Sequence, residues 1–163
     1  MKTKGFSLFE VIVYVAIISV VMTAVLSIVA RSALNRVKAE ALYTVTSSTR
    51  FALERMTQDV RAAADIDESD LASNILTLTA ADGTVRQYAV TDDQLTVSTN
   101  RAAAVALTPT SVRVTDFTLT DRTTTGTEAT AVQLSLALET ASTNPRPEYQ
   151  ADFSLVTTAT MRL

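Results

Sequence analysis

A single carboxylate, Glu10, stands at the head of the longest apolar run in the chain. In KGFSLFEVIVYVAIISVVMTAVLSIVA, residues 4–30, it follows the lone glycine Gly5 and the aromatic Phe6, and it precedes twenty consecutive residues, 11–30, that carry no charge. An ionised group inside a bilayer costs roughly 2.5–3.5 kcal/mol on insertion scales, so an intramembrane carboxylate marks a functional position by default. The chemistry open to it is charge pairing, and the residues around it have to supply a cation.

Other reactive constellations are scarce. The 163-residue chain has no histidine and no cysteine, which removes the imidazole acid/base, the thiolate nucleophile, Cys/His zinc sites and disulfides. The remaining catalytic route is a pair of carboxylates such as Asp92 and Asp93, but neighbours on a strand face opposite sides and the pair reads better as a polar turn. DIDESD, residues 65–70, invites a calcium reading. An EF-hand loop wants glycine at its sixth position and glutamate at its twelfth, where Asp70 and Leu76 stand, so a solvated loop is expected. No enzyme activity, no cofactor and no metal are expected.

The elements that must hold Glu10 follow from period and length. Residues 11–30 are long enough, at about 1.5 Å per residue, to span the roughly 30 Å hydrocarbon core of a bilayer as a helix. An ordinary signal peptide has an apolar region of only about 7–15 residues with an A-x-A-like cleavage site, and this run is longer and lacks that site. Lys2 and Lys4 precede the run and place the N-terminus in the cytoplasm by the positive-inside rule, although Arg31, Arg36 and Lys38 lie beyond it. Past Ala30 the apolar positions Leu34, Val37, Ala41, Val45, Ala52, Met56, Val60 and Ala63 recur mostly at steps of three and four, which predicts an amphipathic helix ending near residues 64–67. Arg36 with Glu40, Arg50 with Glu54, Arg55 with Asp59 and Arg61 with Asp65 fit a solvated outer face. TVTSST, residues 44–49, has weak helix propensity and is where a bend or fraying would start, but tertiary packing is expected to keep it helical.

From residue 75 the period changes to two. ILTLTA, VRQYAV, QLTVST, VRVTDFTLT, VQLSLALET and FSLVTTATMRL read as strands, with Asp82-Gly83 as a two-residue type I′ hairpin turn between the first two. Val132, Leu134, Leu136 and Leu138 share one face of their strand, the pattern of an antiparallel sheet covered on one side by a helix. DRTTTGTEAT and STNPRPE read as exposed loops. The fold class is therefore α+β: a long N-terminal helix, membrane-spanning in its first half and amphipathic in its second, packed on a small antiparallel β head. Charge divides along the same line. Residues 31–64 carry six Arg and Lys against three acids, while residues 65–163 carry six Arg, no Lys and thirteen acids. That balance disfavours nucleic acid as a partner of the head.

With Lys2, Lys4, Gly5, Phe6 and Glu10 ahead of the apolar run, residues 1–30 resemble the class III signal of type IV prepilins and type II secretion pseudopilins. The resemblance implies that a prepilin peptidase cuts between Gly5 and Phe6 and methylates the Phe6 amine, and that Glu10 is the glutamate at the fifth mature position, which directs filament assembly. It implies residues 1–5 as leader, 6–30 as the transmembrane and filament-core helix, 31–66 as the amphipathic stem and 67–163 as the β head of a type IV pilin-like fold. The implied partners are prepilin peptidase, other pilin or pseudopilin subunits, an inner-membrane assembly platform and membrane lipid. The implied location is the inner membrane as a single-pass protein with its head outside the cytoplasm, and then a cell-surface or periplasmic filament.

Two departures from the usual major subunit are visible: Ser27 stands where a helix-bending proline is common, and there is no cysteine pair. They make the chain most similar to a minor pilin or a J-type minor pseudopilin, whose chains end in a Thr-rich strand with a terminal Arg, here TTATMRL. The alternative reading is a single-pass membrane-anchored extracytoplasmic binding module, in which Glu10 merely reaches water at the headgroup boundary.

Overall fold

The computed structural model describes residues 7–123 and 130–161. They form an α+β arrangement like a pilin fold, a long helix followed by two antiparallel sheets. Helix α1 (Leu8–Ala62) is 55 residues long, and the chain divides into two compact units, Met1–Val37 and Lys38–Leu163. Its continuity through residues 44–49 has a local cause. The hydroxyls of Thr44, Ser47 and Thr49 donate to the carbonyls of Glu40, Thr44 and Val45 (2.9, 3.2 and 2.8 Å), so each polar side chain is satisfied inside the helix it was expected to weaken.

In the second unit α1 buries Val45, Thr49, Ala52, Leu53, Met56, Asp59 and Val60, a stripe at steps of three and four. The helix stops at Ala62, somewhat before the expected end. Residues 63–67 leave it as strand β1 (Ala63–Asp67), and Ala63 keeps its buried position as a strand residue. DIDESD is thus ordered structure and not a loop. Asp67 caps the short helix α2 (Glu68–Leu71) by accepting from the Ser69 backbone N–H at 3.1 Å, and Asp70 accepts from the Thr77 hydroxyl at 2.6 Å. The chain leaves α2 through Asn74 in a left-handed conformation (φ 55°), with Ile75 N–H on the Asp70 carbonyl and Asn74 N–H on that of Leu71, the pairing of a Schellman motif.

All six expected strands form, but they make two sheets where one was expected. β1, β2 (Leu76–Ala80), β3 (Val85–Thr91), β4 (Gln94–Thr99) and β5 (Val105–Ala106) follow one another in an antiparallel meander. β6 (Val112–Asp121), β7 (Ala131–Thr140) and β8 (Asp152–Thr160) make a second meander. The two meet where Val114 N–H donates to the Asp93 carbonyl at 2.7 Å, beside a register irregularity between Val114 and Asp116. Val132, Leu134, Leu136 and Leu138 of the central strand β7 are fully buried, as their alternation requires, each burial worth about 1.5–3 kcal/mol. One apolar cluster joins them to Leu76, Leu78 and Leu95 of the first sheet and to Ala52, Met56 and Val60 of α1.

Two turns differ from expectation. Asp82-Gly83 reverses the chain, yet only Gly83 has positive φ (81°), Gly83 N–H bonds the Ala80 carbonyl and Ala80 N–H bonds that of Thr84. This is a three-residue loop closed by a glycine bulge, not type I′. Two-residue turns with both φ positive occur instead at Asn100-Arg101 (52° and 60°) and at Asp92-Asp93 (51° and 59°), between Thr91 and Gln94, so the candidate carboxylate pair forms a turn. The segment 124–129 of the loop expected over residues 121–130 lies outside the described residues. Of STNPRPE, residues 142–146 are irregular and Pro147–Tyr149 is a single 3₁₀ turn. Lys38 ties that region to α1, donating to the Pro147 carbonyl at 3.1 Å and to the Gln150 carbonyl.

Arg55 and Asp59 depart furthest from expectation. The pair was expected on a solvated face, and Arg55 Nε does lie 3.4 Å from Asp59 Oδ2, but Asp59 is buried and belongs to the core face. It accepts from Arg86 Nη1 at 3.0 Å and from the hydroxyl of the fully buried Tyr88, tying α1 to β3. Of the four helical pairs, this is the only one within ion-pair distance among the described residues.

Candidate assembly site

Helix α1 opens at its N-terminal end with the amides of Glu10 and Val11 donating to the Ser7 carbonyl at 3.0 and 3.2 Å. Glu10 therefore occupies the first turn, where unpaired backbone N–H groups and the positive end of the helix dipole favour a carboxylate. One turn on, the Tyr14 hydroxyl donates to Glu10 Oε1 at 3.5 Å. The hydroxyls of Ser19, Thr23 and Ser27 donate to the helix carbonyls of Val15, Ser19 and Ala24 (2.7, 2.8 and 2.7 Å). Polar side chains that close on their own backbone in this way suit a helix that enters hydrocarbon.

Among the described residues, every apolar side chain from Leu8 to Leu34 is exposed. Phe9, Ile12, Tyr14, Ile18 and Leu26 are all at least half exposed, and the most apolar window of α1 is 0% buried. α1 is long and apolar enough to cross a membrane. A stripe this wide, exposed on every side, is a surface made for lipid or for other helices.

Glu10 is the one expected site residue that the structure describes. Lys2, Lys4, Gly5 and Phe6 lie outside the described residues. Asp92 and Asp93 are bound up in their turn, and among the described residues no group of three or more acidic side chains is placed to hold a metal ion. Asp59, missed as a tertiary anchor, had one signal in the sequence: it falls between Met56 and Val60 on the apolar stripe.

Residues 1–26 match the family model described as the prokaryotic N-terminal methylation motif. No curated protein and no solved structure matches the chain. The motif leading into an uncovered apolar helix supports single-pass anchoring in the inner membrane. Motif and fold together support the family of type IV pilins and pseudopilins, which prepilin peptidase processes.

Proposed function

We propose that this chain is a structural subunit, and specifically a minor one, of a type IV pilus or type II secretion pseudopilus. Prepilin peptidase cuts it between Gly5 and Phe6 and methylates the new amine. The mature protein waits in the inner membrane with its head outside the cytoplasm, and the assembly platform then inserts it into a filament through its N-terminal helix. The observation that carries this reading is the methylation motif at residues 1–26, which overlaps a membrane-length apolar helix whose most apolar window is uncovered among the described residues. The absent proline at Ser27 and the Thr-rich last strand support the minor, J-type assignment. The subunit's work is mechanical, with no catalytic step.

Glu10 has two uses in this account. In one subunit the Phe6 amine, four residues before Glu10 in the sequence, offsets the carboxylate within the membrane. In the filament Glu10 meets the Phe6 amine of a neighbour, and a wrong stagger leaves a charge buried without a partner, which costs several kcal/mol. Glu10→Val separates the two stages. Cleavage and insertion should proceed, because the leader, the basic residues and the apolar run are intact. Recovery of the variant with the major subunit should fall at least tenfold at matched membrane levels. Equal recovery in a co-purification assay would remove Glu10 from assembly.

A further inference from the structure

The edge of a β-sheet is a row of unpaired N–H and C=O groups, and proteins that must not pair there shorten, bend or charge it. Among the described residues the head has two sheets and four edges, and three carry such devices. β1 has Asp65 and Asp67 and a register irregularity between Ala63 and Asp65. β5 is two residues long. β6 has an irregularity between Val114 and Asp116 and bears Arg113, Asp116 and Asp121, while the N–H groups of Val114 and Leu119 are taken by the Asp93 carbonyl and Asn74 Oδ1.

Beyond Asp152 at its first position, β8 has none of these protections. It pairs with β7 in unbroken register from Asp152 to Thr160, and residues 153–160 contain no charge, proline or glycine. Val156 is 52% exposed on its outer face, and Leu155 on the other face is only half-buried although it packs on the core.

Helix α1 runs beside this edge without closing over it. Between them lies an open groove of about 390 Å³, with Arg50, Leu53 and Glu54 on one wall and Leu155 and Thr157 on the other, and a second hollow continues it past Arg61 to Thr160. Arg50 to Arg61 is eleven helical steps, about 16 Å, and Leu155 to Thr160 is five strand steps, about 17 Å. Both walls therefore match an extended segment of five or six residues. Arg50 and Arg61, one towards each end, are exposed and make no ion pair among the described residues, whereas Arg55 is engaged with Asp59.

We infer that the β8 edge and this groove receive an extended strand of a different protein chain, with carboxylate side chains placed to meet Arg50 and Arg61. Main-chain bonds to β8 supply affinity, and the two arginines set direction and register. A second copy of β8 is the poorer match, because its single carboxylate, Asp152 at the strand's first position, can answer only one of the two arginines. The inference concerns the head alone and stands independently of the filament reading.

The probe is the acetylated and amidated peptide ETVTVTVE, with KTVTVTVK as its control, titrated into the full chain in detergent micelles while amide hydrogen exchange is followed. The acidic peptide should slow exchange in residues 153–160 saturably and leave β1, β5 and β6 unchanged. The basic peptide should bind about tenfold more weakly. The double substitution Arg50→Glu with Arg61→Glu, at two exposed positions, should reverse that order. No protection of β8 by either peptide, equal protection by both, or an unchanged order in the double variant would overturn the inference. Concentration-dependent protection of β8 without peptide would replace it with self-pairing.

Discussion

Asp59 and Glu10 are both carboxylates on α1, and their surroundings give them opposite tasks. Asp59 is enclosed by Arg55, Arg86 and Tyr88 and anchors the helix to β3. Burial first, and then the hydrogen bond and charge of Asp59, push the Tyr88 phenol well above its ordinary value near 10. The sign follows from linkage. A raised value in the folded state gives stability that is fully present below pH 10 and is lost progressively as pH rises above it, where the unfolded phenol ionises and the folded one resists. Urea unfolding of the head between pH 8 and 11 should show that decline. Tyr88→Phe should flatten it and lower stability at pH 8 by about 1–3 kcal/mol, because Asp59 loses a buried donor. Glu10 was legible in the sequence because its signal is local: a carboxylate, a glycine and an apolar run within thirty residues. Asp59 was not, because an i,i+4 pair on a solvated face and a buried tertiary anchor have the same spacing.

At the scale of elements, side-chain period identified what turn chemistry and sheet division then modified. The six long strands were legible from their alternation. β1 was not, since AADID is short, poor in branched residues and held by its pairing with β2. The division into two sheets was also hidden, because it depends on where β6 bends and docks on the β3–β4 turn, a contact between residues about twenty apart. The turns give the sharpest test. Asp92-Asp93 places two β-carbons in the left-handed region, so Asp93→Gly should raise stability by about 0.5–1 kcal/mol. Gly83→Ala should lower it by about 1 kcal/mol. A Cβ at Gly83 meets nothing within 4 Å, so that loss measures backbone conformation alone. Chemical denaturation of the two variants beside the parent would check both signs.

For the molecule as a whole, the division into an uncovered apolar unit and a head with its own core determines how it behaves in water. The head buries its apolar residues in one cluster that draws on α1 from Val45 onward. A chain beginning at Arg31 should therefore be a soluble α+β monomer that unfolds in a single cooperative transition by circular dichroism. Non-cooperative melting would mean that the head depends on its neighbours. The central claim is that the first unit is an assembly signal, and intact-protein mass spectrometry of the chain recovered from membranes tests it most directly. The account predicts a mature protein that begins at Phe6, carries one added methyl group and retains the entire apolar segment. An uncut chain beginning at Met1 in cells with an active prepilin peptidase, or a product beginning near residue 31, would contradict it.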